Sequence, residues 1–398
     1  MMKPFEGVDY YQVEDLLTQE ERDARDRVHD WVRTRYLPRA ADCFEEGVFP
    51  TDLIPEMAEL GLLGMKLKDF GGKGVNNVTY GLVCRELERG DSGLRSFVSV
   101  MNSLVMFPIA AFGSDAQKQR WLPAMVRGEK IGCFGMTEPQ AGSDPQHMET
   151  RARREGDAYV LTGRKMWITN GHIADVAIIW ARTDAGIRGF LVERGTPGFT
   201  AHPIQRKMSM RASVTSALVL DDVRIPAENL LPGTTGLKSA LTCLNEGRYG
   251  IAWGAVGAAM ACYETALHYA QNRIQFQVPI ASFQLVQSKL VKMLTEITKA
   301  QLLCIRLGRL KDEGKARHTH ISMAKMNNAS EALKIARAAR DILAANGISL
   351  AYPVIRHLLN LETVNTYEGT QDIHTLAIGH DITGLDAFGA PRSGEKGR

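Results

Sequence analysis

AYVLTG (158–163), KMWITN (165–170), VAIIWA (176–181) and RGFLVE (188–193) follow one another closely, and ALVLDDVRI (217–225) continues the series. Each run is short and either β-branched or alternating. Turn residues separate them at Gly156-Asp157, at Asp184 to Gly186 and at Thr196 to Gly198. Short strands at this spacing predict a small antiparallel β domain, a barrel or a sandwich, over 131–232.

On both sides of that unit the periodicity is helical. Upstream, Thr18-Gln19-Glu20-Glu21 has the form of a capping box, and Val28, Trp31, Val32 and Leu37 recur near helical spacing behind it. Leu53 to Leu63, Val78 to Arg89 and Gln117 to Val126 read as further helices, with DFGGKGVNN (69–77) as a loop. Gly90 to Gly93 interrupts one helical run, and Asp91 or Ser92 can cap its restart. Downstream, Leu237 to Arg273 reads as one long helix closed by the QFQVP turn. Phe283 to Glu313, Ser322 to Ala345 and Pro353 to Val364 follow, and a last helix begins after Gly369 and runs to about Ile382. The tail AFGAPRSGEKGR reads as polar and frayed. The expected organisation is α+β multidomain: a helical domain over 1–130, the antiparallel β domain over 131–232, and a helical bundle over 233–398.

Composition narrows the function classes. At about 150 residues per domain, 398 residues allow two or three domains. The chain is 44% hydrophobic and 23% charged, in the globular range. A net charge of +3 gives no electrostatic footprint for nucleic acid. Six scattered cysteines without a CxxC pair read as reduced, buried thiols of a cytoplasm-like compartment. The start MMKPFEGVDYYQVEDLL lacks the apolar core of a signal peptide, and Tyr249 to Cys262, the longest apolar-looking stretch, is short for a membrane span. A soluble bacterial cytoplasmic protein, not bound to membrane or nucleic acid, is the expectation.

Common catalytic signatures are missing. No GxGxxG follows a strand, and GxxxxGK[ST], HExxH and GxSxG do not occur. His318 and His320, in KARHTH, read as a solvated turn, because no third metal ligand lies nearby in sequence. No metal is expected. Three segments instead combine turn residues with polar groups: CFGMTEPQAGSDP (133–145), KMWITNG (165–171) and NTYEGTQDIH (365–374). By spacing alone the first is a strand running into a loop that Ser143 and Asp144 can cap. Trp167 alone reads as core packing, and Glu368 as a surface acid before a helix that Thr370 caps and Asp372 suits electrostatically.

Together these segments resemble the flavin-dependent acyl-CoA dehydrogenase family, and the resemblance extends from about Leu16 to Phe388. GDSGLRSFVSV, GCFGMTEP, LNEGRYGIAWG, LTEIT, GRLKDEG, VIRHLLNLETVNTYEGT and ITGLDAF resemble its glutaryl-CoA dehydrogenase branch. The resemblance implies FAD as cofactor. Phe134, Gly135, Met136 and Thr137 would line the isoalloxazine, with Gly142 and Ser143 near the diphosphate or the thioester ligand. Trp167, Ile168 and Thr169 would flank the flavin, and Thr370 and Asp372 belong to the same cofactor set. Arg273, Phe276, Gln284, Asp341 and Ala345 would reach the FAD of a neighbouring subunit, which implies a homotetramer with shared cofactor sites.

For the substrate, the resemblance makes Glu368 the base that removes the acyl α-proton while hydride leaves Cβ for flavin N5. Gly369 would let the thioester approach. Asn245 and Arg248 would contact coenzyme A. Arg95, Ser96 and Ser99 match a set that binds the distal carboxylate of glutaryl-CoA, with Glu88 and Tyr367 beside it. An arginine fork suits a carboxylate, and residues 95 and 99 share a helix face. The implied reaction is glutaryl-CoA to crotonyl-CoA and CO2, with electrons passing to electron-transfer flavoprotein. The same scaffold hosts flavin oxidases, oxygenases and non-decarboxylating dehydrogenases of other carboxylated or aromatic acyl-CoAs. A non-catalytic CoA- or flavin-binding module is the reading from a different class, and Glu368 in its family context argues against it. The sequence departs from the family at Ala344-Ala345-Asn346-Gly347 (usually Gly-Gly-Asn-Gly), at Gln277 (usually Gly), at Leu94 (usually aromatic) and at the bulky Phe97-Val98.

Overall fold

The computed structural model describes Phe5 and residues 7–387; all but the first residue of the polar tail lies outside the described residues. The first helical region holds α1 (Gln19–Trp31), α2 (Leu37–Glu46), α3 (Ile54–Glu59), α4 (Asn77–Gly90), α5 (Ser92–Ser99), α6 (Phe107–Phe112) and α7 (Asp115–Val126). The Thr18 capping box forms as the sequence predicts: the hydroxyl accepts from the Glu21 amide and the Glu21 carboxylate from the Thr18 amide. Asp91 caps α5, accepting from Gly93 N at 2.6 Å. The expected helix over 53–63 is shorter, because Pro50 and Pro55 confine it and Gly61 turns left-handed.

The strands are β1 (Gly132–Gly135), β2 (Arg151–Glu155), β3 (Ala158–Thr169), β4 (Val176–Thr183), β5 (Gly186–Glu193), β6 (Phe199–Pro203) and β7 (Thr215–Pro226). One correction concerns the sheet. It is mixed, because β1 pairs with β4 in parallel and β2 touches β4 in parallel at Arg151, whereas the remaining pairings are antiparallel. The loop between β1 and β2 carries the chain back across the sheet, and no hairpin signal in the sequence reports that crossing.

The last region holds α8 (Leu237–Asn272), a small hairpin of β8 (Ile274–Gln275) and β9 (Val278–Pro279), then α9 (Gln284–Asp312), α10 (His318–Ile342), α11 (Val354–Val364) and α12 (Gln371–Thr383). His318 and His320 therefore start a helix, a second correction: His320 Nδ1 accepts from Arg317 N at 3.2 Å and closes the first turn. Among the described residues no group of three His, Cys, Asp or Glu side chains could hold a metal.

The longest apolar segment is also not the one expected. Ser92–Phe112 is a continuous helical run, with a π-helical stretch at Val100–Met106, and is long and apolar enough to cross a membrane by composition. Of its most apolar 18-residue stretch 83% is buried inside the fold, as the core helix of a packed bundle would be. All six cysteines are free and buried.

Helix α8 runs through the middle and packs most closely on α4 and α10. Its stripe Gly247, Gly250, Gly254 and Gly257 allows that approach. A methyl at Gly257 would lie 1.9 Å from the Arg85 carbonyl of α4, and one at Gly254 would lie 2.0 Å from Glu88 Oε2. The segment 204–214, between β6 and β7, ties the sheet to both helical regions. Met210 N donates to Asn360 Oδ1 of α11 at 2.7 Å, and Arg211 Nε to the Phe44 carbonyl of α2 at 2.7 Å. Asn360 in turn donates to Asp91 Oδ2 at 3.0 Å, so one buried carboxylate caps α5 and joins α11 and the strap.

Candidate active site

The turn 365–370 between α11 and α12 carries Tyr367, Glu368 and Gly369. Glu368 holds φ at +51°, a region that disfavours side chains, and Gly369 holds +104°. Surrounding contacts fix this shape. Arg248 Nε of α8 donates to the Glu368 carbonyl at 2.7 Å, and Lys325 Nζ of α10 donates to the Gly369 carbonyl at 2.7 Å. Thr370 caps α12 by accepting from Ile373 N at 3.3 Å. A methyl on Gly369 would strike the His374 ring at 2.7 Å.

The carboxylate of Glu368 points over Gly247, where a methyl would come within 2.2 Å of Oε2. That oxygen is buried without a hydrogen-bond partner. Burial pushes the Glu368 carboxyl up to about 7, against the pull of Arg95, Arg248 and Lys325, which favour its ionised form. A desolvated carboxylate near neutrality, with an unsatisfied oxygen, is the chemistry of a general base awaiting a proton. Gly247→Ala should therefore displace the carboxylate. We expect it to lower kcat by at least about tenfold, the effect of misplacing a catalytic group by an ångström, with little change in melting temperature. An unchanged kcat would mean that the carboxylate has a second working position.

Beside the base lies a buried polar cluster. Arg95 Nε of α5 donates to Glu88 Oε2 of α4 at 2.6 Å, and the other arm of the fork reaches the Tyr367 hydroxyl. Arg95 is 1% exposed and Glu88 is fully buried. Glu88 and the neighbouring Tyr367 hydroxyl keep the guanidinium charged despite that burial. Glu88 Oε1 and Ser99 Oγ are buried and unpartnered. A buried cation with free polar atoms around it can accept an anionic group. Ser96 is buried on the same helix. Asn245 accepts from Arg248 Nη1 at 3.1 Å, one helical turn away along α8.

The departures from the family pattern near Arg95 are all buried. Phe97 stacks on Phe49 with ring centroids 4.6 Å apart, Leu94 lies beside Gly90, and Val98 is fully buried in the same apolar cluster.

The residues implicated in cofactor binding fall into two separated groups. The first lies at the ends of β1 and β3. Met166 N donates to the Thr137 carbonyl at 2.8 Å, which joins the two segments. The register of β3 against β7 slips between Lys165 and Ile168, and Trp167 takes φ of +63°. This bulge turns the indole outward, leaving it 57% exposed. The side chains of Ile168, Phe134 and Met136 point instead into the core, Phe134 against Trp180, so only their main chain can face a ligand. Gly135 packs against β4, with no room for a methyl beside Ile179. Gly142 and Ser143 lie in an exposed loop, with open space around Gly142.

An uncovered indole beside half-buried Thr169 and an open glycine-serine loop fits a planar ring carrying a phosphate-bearing tail. Beneath it, Lys165 Nζ donates to the Met136 carbonyl at 3.0 Å and to Glu138 Oε1 at 2.8 Å, both side chains buried. This pair, which the sequence reading did not single out, fixes the Met136–Glu138 segment from behind.

The second group, Arg273, Phe276, Gln284, Asp341 and Ala345, is exposed at the far end of α8, α9 and α10. Asp341 pairs with Lys289 there. At 1.5 Å per residue, Arg273 lies about 39 Å along α8 from Gly247. Gln277 and Ala344, two family glycine positions, hold φ of +69° and +51°, so the unusual side chains sit in backbone conformations suited to glycine. Asp372 is exposed in the first turn of α12.

Three family models match the chain: acyl-CoA dehydrogenase N-terminal domain over residues 18–129, middle domain over 133–223 and C-terminal domain over 234–383. A crystal structure of glutaryl-CoA dehydrogenase from Mycobacterium smegmatis superposes with a TM-score of 0.96 at 55% identity, over 97% of this chain and 100% of that one. A glutaryl-CoA dehydrogenase from the same organism in complex with FADH2 gives a TM-score of 0.95 at 52% identity, over 96% and 99%. The mitochondrial short-chain specific acyl-CoA dehydrogenase of Rattus norvegicus is 39% identical over 365 residues, 89% of this chain and 88% of its own length.

Proposed function

The chain belongs to the acyl-CoA dehydrogenase family, with FAD as cofactor, and from that premise we propose that it oxidises glutaryl-CoA and decarboxylates the product to crotonyl-CoA. The observation that carries this reading is Arg95, a buried guanidinium one side chain away from the candidate base, with Nε on Glu88 and one arm of its fork on Tyr367. A straight-chain fatty acyl group has no use for a buried cation, whose desolvation costs several kcal/mol on the order of a Born penalty after relaxation. A carboxylate at the far end of a five-carbon acyl chain does.

Each residue then has a task. Glu368 removes the α-proton of the thioester. Its backbone N–H would hold the thioester oxygen as negative charge develops there. Gly247 leaves room for the Glu368 carboxylate, Gly369 brings no side chain to the thioester, and Asn245 and Arg248 face the coenzyme A portion. Arg95 and Ser99 hold the distal carboxylate, with Glu88 and Tyr367 orienting the guanidinium. Bound FAD supplies the acceptor for the hydride that leaves Cβ. The resulting enoyl-CoA carries its carboxylate on the γ-carbon. Loss of CO2 leaves a dienolate delocalised into the thioester, and a proton on carbon gives crotonyl-CoA.

Trp167, Thr169, Thr137 and the Gly142-Ser143 loop would hold the flavin of their own subunit. Arg273, Phe276, Gln284, Asp341 and Ala345 would complete the site of a neighbour, in a homotetramer. Phe276 (88% exposed), Leu285 (79%) and Ile348 (68%) give that end of the bundle the apolar surface a subunit contact needs. Electron-transfer flavoprotein is the proposed acceptor, and six buried free thiols suit a cytoplasmic setting. The reading is tested by anaerobic titration of the yellow protein with glutaryl-CoA and butyryl-CoA. Bleaching by glutaryl-CoA at much lower concentration is the expected result. Equal response to both, or bleaching by neither, would overturn the substrate assignment.

A further inference from the structure

Arg248 contacts the base-bearing turn from the helix that lines the site. Lys325 reaches the same turn from α10, behind it. Lys325 is fully buried in the middle of that helix, where a lysine is rare unless it is paired. No carboxylate is its hydrogen-bond partner. Its ammonium donates to two main-chain carbonyls, Gly369 at 2.7 Å and Asn365 at 3.4 Å. Those carbonyls belong to the two ends of the segment that contains Glu368. The neighbouring Gln371 Nε2 donates to the Met326 carbonyl at 2.9 Å, next to Lys325 on α10. The turn is therefore pinned to α10 at two points, with a third bond from the adjoining start of α12, and to α8 at one.

Resting on the assignment of Glu368 as base, we propose that Lys325 is its positioning residue. The buried ammonium clamps both ends of the Asn365–Gly369 turn, holds Glu368 in its left-handed conformation over Gly247, and favours the ionised carboxylate across the turn. Lys325 touches neither substrate nor cofactor in this role.

The charge balance around Glu368 supports it. The groups that face the carboxylate are Arg95 from α5, Arg248 from α8, Lys325 from α10, His374 from α12 and the adjacent Tyr367. Burial drives the His374 ring down to about 3, so it is neutral at working pH. Tyr367 is neutral as well, its hydroxyl pushed up by burial. Arg95 is engaged by Glu88, which offsets its charge. Arg248 and Lys325 are then the cations without a carboxylate partner of their own. Burial pulls the Lys325 ammonium down, and the Glu368 carboxylate opposes that pull by favouring its charged form.

The test uses the full-length, FAD-loaded enzyme with Lys325→Met, Lys325→Gln and Lys325→Arg. Flavin content and melting temperature report folding, and the pH dependence of kcat/KM reports the base. Lys325→Met should move the acidic limb of the profile upward by about one pH unit and cut kcat at pH 7 by about tenfold or more. Lys325→Gln, which can still donate, should recover part of kcat but keep the shifted limb. Lys325→Arg should restore the limb. A folded, flavin-loaded Lys325→Gln whose limb and kcat match the parent would overturn the proposal. So would failure of all three variants to fold, which would make the lysine purely structural. Full turnover by Glu368→Gln would instead remove the base assignment on which the proposal rests.

Discussion

Glu368→Gln is expected to lower turnover of glutaryl-CoA by about 10²–10⁴-fold, the usual contribution of a positioned general base, while FAD remains bound. The amide is nearly the same shape as the carboxylate, and the Arg248 and Lys325 contacts go to main-chain carbonyls, not to this side chain. The turn should therefore keep its conformation. Stability should hold or rise slightly, because a buried acid is replaced by a neutral group. The parent enzyme supplies the second half of the test. A base must be ionised to act, and burial sets the Glu368 carboxyl at about 7. Thus kcat/KM should rise with pH through about 7 and level off above it. In Glu368→Gln that limb should vanish along with the activity. A variant that retains turnover and the limb would place the base elsewhere.

Arg95→Ala should have the other large effect, and its substrate dependence carries the meaning. The substitution leaves Glu88 buried without its cation and removes a partner from Tyr367. Breaking a buried pair in this way costs about 3–5 kcal/mol of stability, so a lower melting temperature is expected for any role of Arg95. The discriminating quantity is the ratio of kcat/KM for glutaryl-CoA to that for butyryl-CoA. If Arg95 holds the distal carboxylate, the ratio should collapse by about thirty-fold or more, equivalent to at least about 2 kcal/mol for a truncated buried charge contact. Loss of both substrates in equal proportion would mean that Arg95 serves the fold alone. Arg95→Lys keeps a charge but not the fork, and should recover stability better than it recovers the ratio.

These two residues also show what could and could not be read from the sequence. Helices announce themselves through periodicity and caps, so Thr18, Asp91 and Thr370 mark their starts in sequence as they do in space. The order of helices, strands and helices was legible for the same reason. The parallel pairing of β1 with β4 was not, because it depends on a long-range crossing that leaves no local turn signal. His318 and His320 looked like a solvated turn because charged residues surround them, yet α10 begins there on a backbone bond to His320.

The candidate site divides along the same line. Glu368 and Arg95 could be singled out only through resemblance, since locally one is an acid before a helix and the other an arginine within one. The structure adds the reason each can act: burial, a strained turn and facing glycines. The α8 stripe from Gly247 to Gly257 was present in LNEGRYGIAWGAVG, and spacing of three and four residues is a visible signal for close approach. Lys325 and Lys165 left no such signal. A lysine inside an amphipathic helix or a strand reads as a solvated face until the neighbouring element covers it. The strap at 204–214 was silent for another reason: its contacts run from backbone to distant side chains, and no residue type announces them.

The central claim is that a carboxylate-binding cation and a proton-abstracting carboxylate work on one substrate, with bond cleavage beyond simple oxidation. The most direct measurement is the product balance from glutaryl-CoA under anaerobic conditions with an artificial electron acceptor. The account predicts one CO2 and one crotonyl-CoA for each acyl-CoA consumed. Accumulation of glutaconyl-CoA without CO2 would contradict it.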